Sequence, residues 1–449
     1  MKTKYEIDMT YGSMLPKLIR LGLPVMLSGI LQLAFNAADL VVVGRFAGET
    51  ALAAVGSNGP LVSLIINVLL GICTGTSVIV ARNYGAKDEK NLKETVCTSM
   101  TIGLVGGIVF ALIGLFLAEP LLKLMGTPAE VLPLAALYLR IYFAGMPVIQ
   151  LYNFASAVLR AVGDTKRPLY FLALAGVINV GLNLFFVIVL KIAVAGVALA
   201  TVISQCVSCF LVVFTLCRSK GMYRLDMKNY RFSGGAFKQI MKIGLPAGIQ
   251  SSLFSISNVI IQSTINSFGT YVMAGNSAAQ SIEAFIFTSQ DAINQASIAS
   301  VSQNMGAREY ARVKKSIRYC LLMEIVVGEG MGWLMILFSR TLLGFYVSGE
   351  ETIAAGIIRM TVIGSLYCLN GIQHMMGGVL RSLGFGILPT IISFIGICGF
   401  RLVWIFTYFP THRSLWTLYA SYPLSWAFTV IILFICYFAL KNKAFYKVS

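Results

Sequence analysis

The sequence predicts an all-α membrane protein of twelve transmembrane helices in two six-helix halves, related by pseudo-two-fold symmetry about the membrane normal. Three observations lead there: scarce charge, recurring membrane-length apolar runs, and an internal repeat. Of 449 residues, 57% are apolar and 12% charged, about half the roughly 25% charged share of a soluble domain. Apolar runs of about 20 residues, each enough to cross about 30 Å of hydrocarbon as a helix, recur along the whole length. They fall near residues 21–44, 51–79, 95–118, 134–158, 168–190, 193–216, 240–266, 275–300, 317–339, 355–379, 387–409 and 417–440.

The repeat sets the organisation. Gly22, Leu23 and Pro24 return as Gly244, Leu245 and Pro246, 222 residues on. Asn83, Gly85 and Ala86 return as Asn304, Gly306 and Ala307, and Leu159, Arg160, Gly163 and Pro168 as Leu380, Arg381, Gly384 and Pro389, all 221 residues on. The chain is therefore expected to divide into an N-terminal half (1–216), a polar, basic cytoplasmic linker (217–238) and a C-terminal half (239–449). Six spans per half is an even number, so both halves enter the bilayer in the same sense. That plan suits alternating access, one half rocking against the other around a substrate near the midplane.

The net charge of +17 does not point to nucleic acid, because the basic residues lie mainly in short loops. With the N-terminus, alternate loops and the C-terminus taken as one side, 27 of the 35 Lys and Arg fall there, so both termini are expected in the cytoplasm. The first apolar segment is too long for a cleavable leader and is expected to stay as the first span. Nine Cys in or beside apolar runs argue against a disulfide framework, and Cys206 and Cys209 read as packing residues.

Within the first span, LGLPVMLSGILQLAFNAADLVVVG, one carboxylate interrupts the apolar run. An intramembrane acid is functional by default, which makes Asp39 the leading candidate. Gln32, Asn36 and Asp39 fall at i, i+4 and i+7, one polar stripe on a helix, and Pro24 marks a hinge where a hydrogen bond is lost. In the fifth span Asn179 and Asn183 share a face, and Thr201 opens the polar stretch of the sixth. An acid, two amides and a hydroxyl can form an oxygen-rich pocket for a proton or Na⁺; equally, the amides and hydroxyl can tie helices together. At the repeat offset Asp39 meets Ile260 or Ile261, so only the first half carries this acid. The second half offers Glu283 and Asp291, eight apart in one helix, as candidates for a cavity wall, with Glu324 and Glu329 weaker. Arg140, Arg359 and Arg401 are candidate partners for the acids or interfacial residues. Met375 and Met376 beside His374 are candidates for a soft substrate surface, against ordinary packing.

No H-E-x-x-H, G-x-S-x-G or G-x-x-x-x-G-K-[ST] occurs, so the chain reads as no enzyme and no ATP-driven pump, with no cofactor and no firm metal site. The runs N-A-A-D-L-V-V-V-G-R at 36–45, A-R-N-Y-G-A-K at 81–87, L-R-A-V-G-D-T-K-R-P at 159–168 and V-A-G-V-A-L-A-T-V-I-S-Q at 194–205 together resemble the multidrug and toxic compound extrusion (MATE) transporters over nearly the whole chain. The resemblance implies a twelve-helix, V-shaped antiporter that expels organic compounds in exchange for H⁺ or Na⁺. It implies further that Asp39 is the essential first-helix acid of one branch, that Asn179 and Thr201 accompany it, and that the first helix bends at Pro24 when the acid is protonated. Asn183 departs from members with a second Asp there, and Phe254 and Asn370 stand where the other branch carries acids.

The expected function is thus efflux of small organic, mostly cationic, compounds by a monomer in a bacterial-type inner membrane, with lipid as its surroundings. Coupling to H⁺ is expected ahead of Na⁺, which would use Asp39, Asn179, Asn183 and Thr201. The rival is a flippase for a lipid-linked cell-envelope precursor, which would want cationic residues facing the cavity.

Overall fold

The computed structural model describes residues 5–446. Its helices, numbered by span, are α1 Met14–Phe46, α2 Gly59–Gly85, α3 Glu89–Leu124, α4 (the pair Leu132–Ala144 and Met146–Ala161), α5 Lys166–Val189 and α6 Ala193–Arg218. The second set is α7 Gly234–Asn266, α8 Thr270–Gly306, α9 Tyr310–Leu337, α10 (the pair Glu350–Gly364 and Cys368–Ser382), α11 Leu388–Thr407 and α12 Leu415–Tyr446.

Among the described residues nine helices are long and apolar enough to cross a membrane, and the two bent pairs bring the number to eleven. The twelfth is α8, 37 residues long but with Asn276, Glu283, Gln290, Asp291, Asn294 and Gln295 along it. Asn276, Glu283 and Gln290 are buried: this helix is wrapped by protein, so its polar groups meet partners rather than lipid.

Some of the repeat anchors lie at turns. Lys87 and Arg308 both adopt positive φ, 57° and 60°, at the matching α2–α3 and α8–α9 turns. Asp88 then caps α3, accepting from Asn91 N at 3.1 Å. Gly163 and Gly384 sit at φ 91° and 101°, left-handed conformations that a side chain resists. A Cβ on Gly163 would also come within 2.4 Å of Ile7 O.

Two expected continuous spans are bent by 48°. In α4 the bend falls at Gly145, just ahead of Pro147, which brings no N–H to the helix ladder; in α10 it falls between Gly364 and Cys368. α5 and α11 each contain a π-helical stretch, Phe185–Val189 and Phe394–Gly399.

Packing sorts the chain into two compact units. One contains Leu27–Gly244 with the residues leading up to Asp8, and the other contains Met9–Met26 with everything from Leu245 onward. α1 changes unit two residues after Pro24 and α7 one residue before Pro246, so each change falls beside a proline, where a helix bends most easily. In the second unit Ile261, Val272, Ile282, Ile286, Met335 and Met360 form the middle of a buried apolar cluster.

Candidate functional site

The site is built from the part of α1 after Met26, α5 and α6, all within the first unit. Its geometry starts at a glycine. A Cβ on Gly176 would lie 1.8 Å from Cε2 of Phe35, so the ring of α1 rests directly on the backbone of α5. Asp39 follows Phe35 by one turn, and Asn179 and Asn183 follow Gly176 by three and seven residues on the same helix face. The close approach therefore delivers the carboxylate to the amides.

Asn183 Nδ2 donates to Asp39 Oδ1 at 2.5 Å and also to Asn179 Oδ1 at 3.3 Å. Asn179 Nδ2 donates to Thr201 Oγ1 at 3.5 Å, and that hydroxyl donates to Val197 O at 3.0 Å. One polar chain thus runs from the acid through two buried amides to the backbone of α6. Asn183 is fully buried, and its Oδ1 has no hydrogen-bond partner among the described residues. The four residues singled out in the sequence are brought together. Tyr138 joins them, close enough for its phenol to feel the Asp39 charge and stacked on Tyr142 at 6.2 Å. Sequence reasoning missed Tyr138, because an i, i+4 tyrosine pair inside a span carries no signal beyond packing.

The other candidates are placed as follows. Gln32 and Asn36 are exposed and bond to each other at 3.4 Å. Pro24 lies inside one continuous helix. Glu283 is engaged by Arg359, whose Nε and Nη2 donate to its two oxygens at 2.8 and 2.7 Å, while Arg359 Nη1 donates to Asn276 Oδ1 at 2.8 Å. This carboxylate is neutralised inside the second unit. Asp291 accepts from Asn294 Nδ2 at 3.3 Å and Gln295 Nε2 at 2.6 Å on its own helix. Met375 and Met376 are fully buried and belong to the core, while His374 packs between Phe254 and Phe287. Arg140 pairs with Glu119 at 3.3 Å. Arg401 meets neutral groups, donating to Ser425 Oγ at 3.0 Å with the Tyr422 ring 4.1 Å away. Of Ile260 and Ile261, the two positions that the repeat offset sets against Asp39, Ile261 is buried and Ile260 partly buried.

Chemically, one carboxylate with neutral oxygens beside it can take up and release a proton or hold a monovalent cation. Among the described residues no group of three or more His, Cys, Asp or Glu could hold a metal ion, so a tightly bound divalent metal has no ligand set here.

Membrane-spanning helices in two repeated sets, with a lone acid held among amides in the interior of one, define a membrane transporter rather than an enzyme. The chain belongs to the MatE family, whose family model matches residues 24–185 and again residues 246–407. The two matches begin 222 residues apart, the spacing of the repeat. Among relatives, the probable multidrug resistance protein YoeA of Bacillus subtilis is 29% identical over 94% of this chain and 93% of its own length. The probable multidrug resistance protein NorM of Thermotoga maritima is 24% identical over 86% of this chain and 84% of its own. Among solved structures, an outward-facing multidrug resistance MATE transporter superposes with a TM-score of 0.90 at 21% identity, covering 100% of both chains. A transporter from Pyrococcus furiosus, described as having a binding pocket of reversed polarity, gives 0.89 at 21% identity over 99% of both. At these identities the structures bear on the fold alone.

Proposed function

We propose that this protein is a secondary active antiporter that exports small organic compounds, chiefly cations, from a bacterial-type cell in exchange for H⁺, by alternating access. The observation that carries the reading is the chain Asp39–Asn183–Asn179–Thr201, an acid in a span with amide and hydroxyl partners and, among the described residues, no basic residue in contact. Ionised Asp39 attracts a cation. Protonation removes that charge and weakens its bond to Asn183, which favours repacking of α1 around Pro24 and release of the substrate. Proton and organic cation then compete for one charge, which is the condition for exchange. Relatives named as multidrug resistance proteins support the substrate class. The basic loops support cytoplasmic termini in an inner membrane.

One observation favours Na⁺ as a second reading: the buried Asn183 Oδ1 without a donor is a neutral oxygen of the kind that a monovalent cation uses. In proteoliposomes an imposed pH gradient without Na⁺ is expected to drive organic-cation movement, and Asp39→Asn to abolish it. Transport that follows a Na⁺ gradient and ignores pH would overturn the proton assignment. An active Asp39→Asn protein would overturn the role of the residue. Rescue of a lipid-precursor flippase defect without cation export would favour the flippase instead.

A further inference from the structure

A second acid, in the other unit, lies outside the role given to Asp39. Glu324 stands in the middle of α9 with no solvent exposure, and neither of its carboxylate oxygens has a hydrogen-bond partner among the described residues. α10 passes directly over it at Gly371, where a Cβ would lie 2.1 Å from Glu324 Oε2 and 2.5 Å from Gln290 Nε2. The side-chain ends of α8 and α9 therefore meet against the bare backbone of α10.

No donor among the described residues reaches either Glu324 oxygen. Gln290 Nε2, which meets the same Gly371 position, donates to Tyr367 O at 3.1 Å, and Gln290 Oε1 is, like both Glu324 oxygens, buried without a hydrogen-bond partner among the described residues. A bare carboxylate in such a place is heavily penalised, because neither water nor a donor solvates it. The ionisable groups acting on it bring no cation. Asp291 faces it from α8, Cys320 lies one turn away on α9, and Cys368 reaches it from α10. Glu329 lies beside Cys368, and His374 lies within electrostatic range of both Asp291 and Arg381. The buried arginine that pairs with an acid in this unit, Arg359, is committed to Glu283.

We propose that Glu324 is a proton-binding site of the second unit, separate from Asp39. One proton joined to one carboxylate oxygen removes the charge and turns an acceptor into a donor, which supplies what the pocket lacks.

The test is infrared spectroscopy of the purified full-length protein at neutral pH, which reads the C=O stretch of a neutral carboxylic acid independently of transport. The band is expected in the native chain, retained in Asp39→Asn, and lost in Glu324→Gln. Because glutamine has the shape of the neutral acid, Glu324→Gln is expected to keep the native unfolding temperature. Should that variant not be obtained, Glu324→Asp is expected to keep the band and shift it. The proposal is overturned if the band survives Glu324→Gln, if no such band exists in the native chain, or if Glu324→Gln lowers the unfolding temperature by many degrees. It is also overturned if NaCl, against choline chloride, stabilises the native protein and fails to stabilise Glu324→Gln. The Asp39→Asn arm separates failure here from failure of the coupling role at Asp39.

Discussion

Gly176→Ala tests whether the coupling acid is positioned by helix approach. The added Cβ would lie 1.8 Å from Phe35 Cε2 and 1.9 Å from Cζ, where carbon atoms rest about 3.5–4.0 Å apart. Ring or helix must therefore yield by about 2 Å. Overpacking of this kind costs about 1–3 kcal/mol, and replacing a helix-interior glycine returns about 0.5–1 kcal/mol. The net loss of stability is about 0–2.5 kcal/mol, at most a modest fall in unfolding temperature. Transport should suffer more. Asp39 is held to Asn183 by one 2.5 Å hydrogen bond, which a displacement of that size breaks, and misplacing a functional group by about 1 Å can cost about 10²-fold in rate. The assay is pH-gradient-driven uptake of a fluorescent organic cation into proteoliposomes, beside thermal unfolding in detergent. Phe35→Ala added to Gly176→Ala removes the clash and is expected to restore a good part of the transport. Native transport in Gly176→Ala alone, or no recovery in the double variant, would refute the positioning argument.

Three other expectations follow from the same geometry. Arg359→Met leaves Glu283 buried and unpaired and should cost about 3–5 kcal/mol, whereas Arg359→Met combined with Glu283→Leu should cost much less; chemical or thermal unfolding distinguishes the two. Asp164, in the loop between α4 and α5, is pushed up to about 6 by burial, against the opposing charge of Arg167. Its native state thus prefers the proton more than the unfolded chain does, so stability should fall as pH rises from about 4 to about 6 and level off above; Asp164→Asn should flatten that fall in a pH series of unfolding temperatures. Ser233→Cys in a chain without the native cysteines should resist an impermeant thiol reagent in intact cells and react once the cells are opened, because the linker is expected on the cytoplasmic side; labelling in intact cells would reverse the topology.

What the sequence determined by itself follows from short-range physics. A helix in lipid must satisfy its own backbone, so apolar runs of fixed length mark the spans, and α8 was visible at 275–300 even though it is the most polar of them. The repeat was visible partly because some anchors, such as Gly163 and Gly384, sit at turns whose backbone conformation only certain residues tolerate. Asp39 stood out because an acid in an apolar run is costly, and Asn179 with Asn183 because four residues make nearly one turn. The tertiary structure decided what depends on contacts between helices. Arg359 reaches Glu283 across 76 positions, which turns a candidate cavity acid into half of a buried pair. Tyr138 comes within range of Asp39 through the fold of α4, and Met375 and Met376, which the sequence left open between a substrate surface and ordinary packing, are buried. Glu324 looked weaker than its neighbours in the sequence, since a one-dimensional pattern cannot count the donors that three packed helices bring to one carboxylate. Periodicity is local and survives in the sequence, while partnership is a property of packing and appears only in three dimensions.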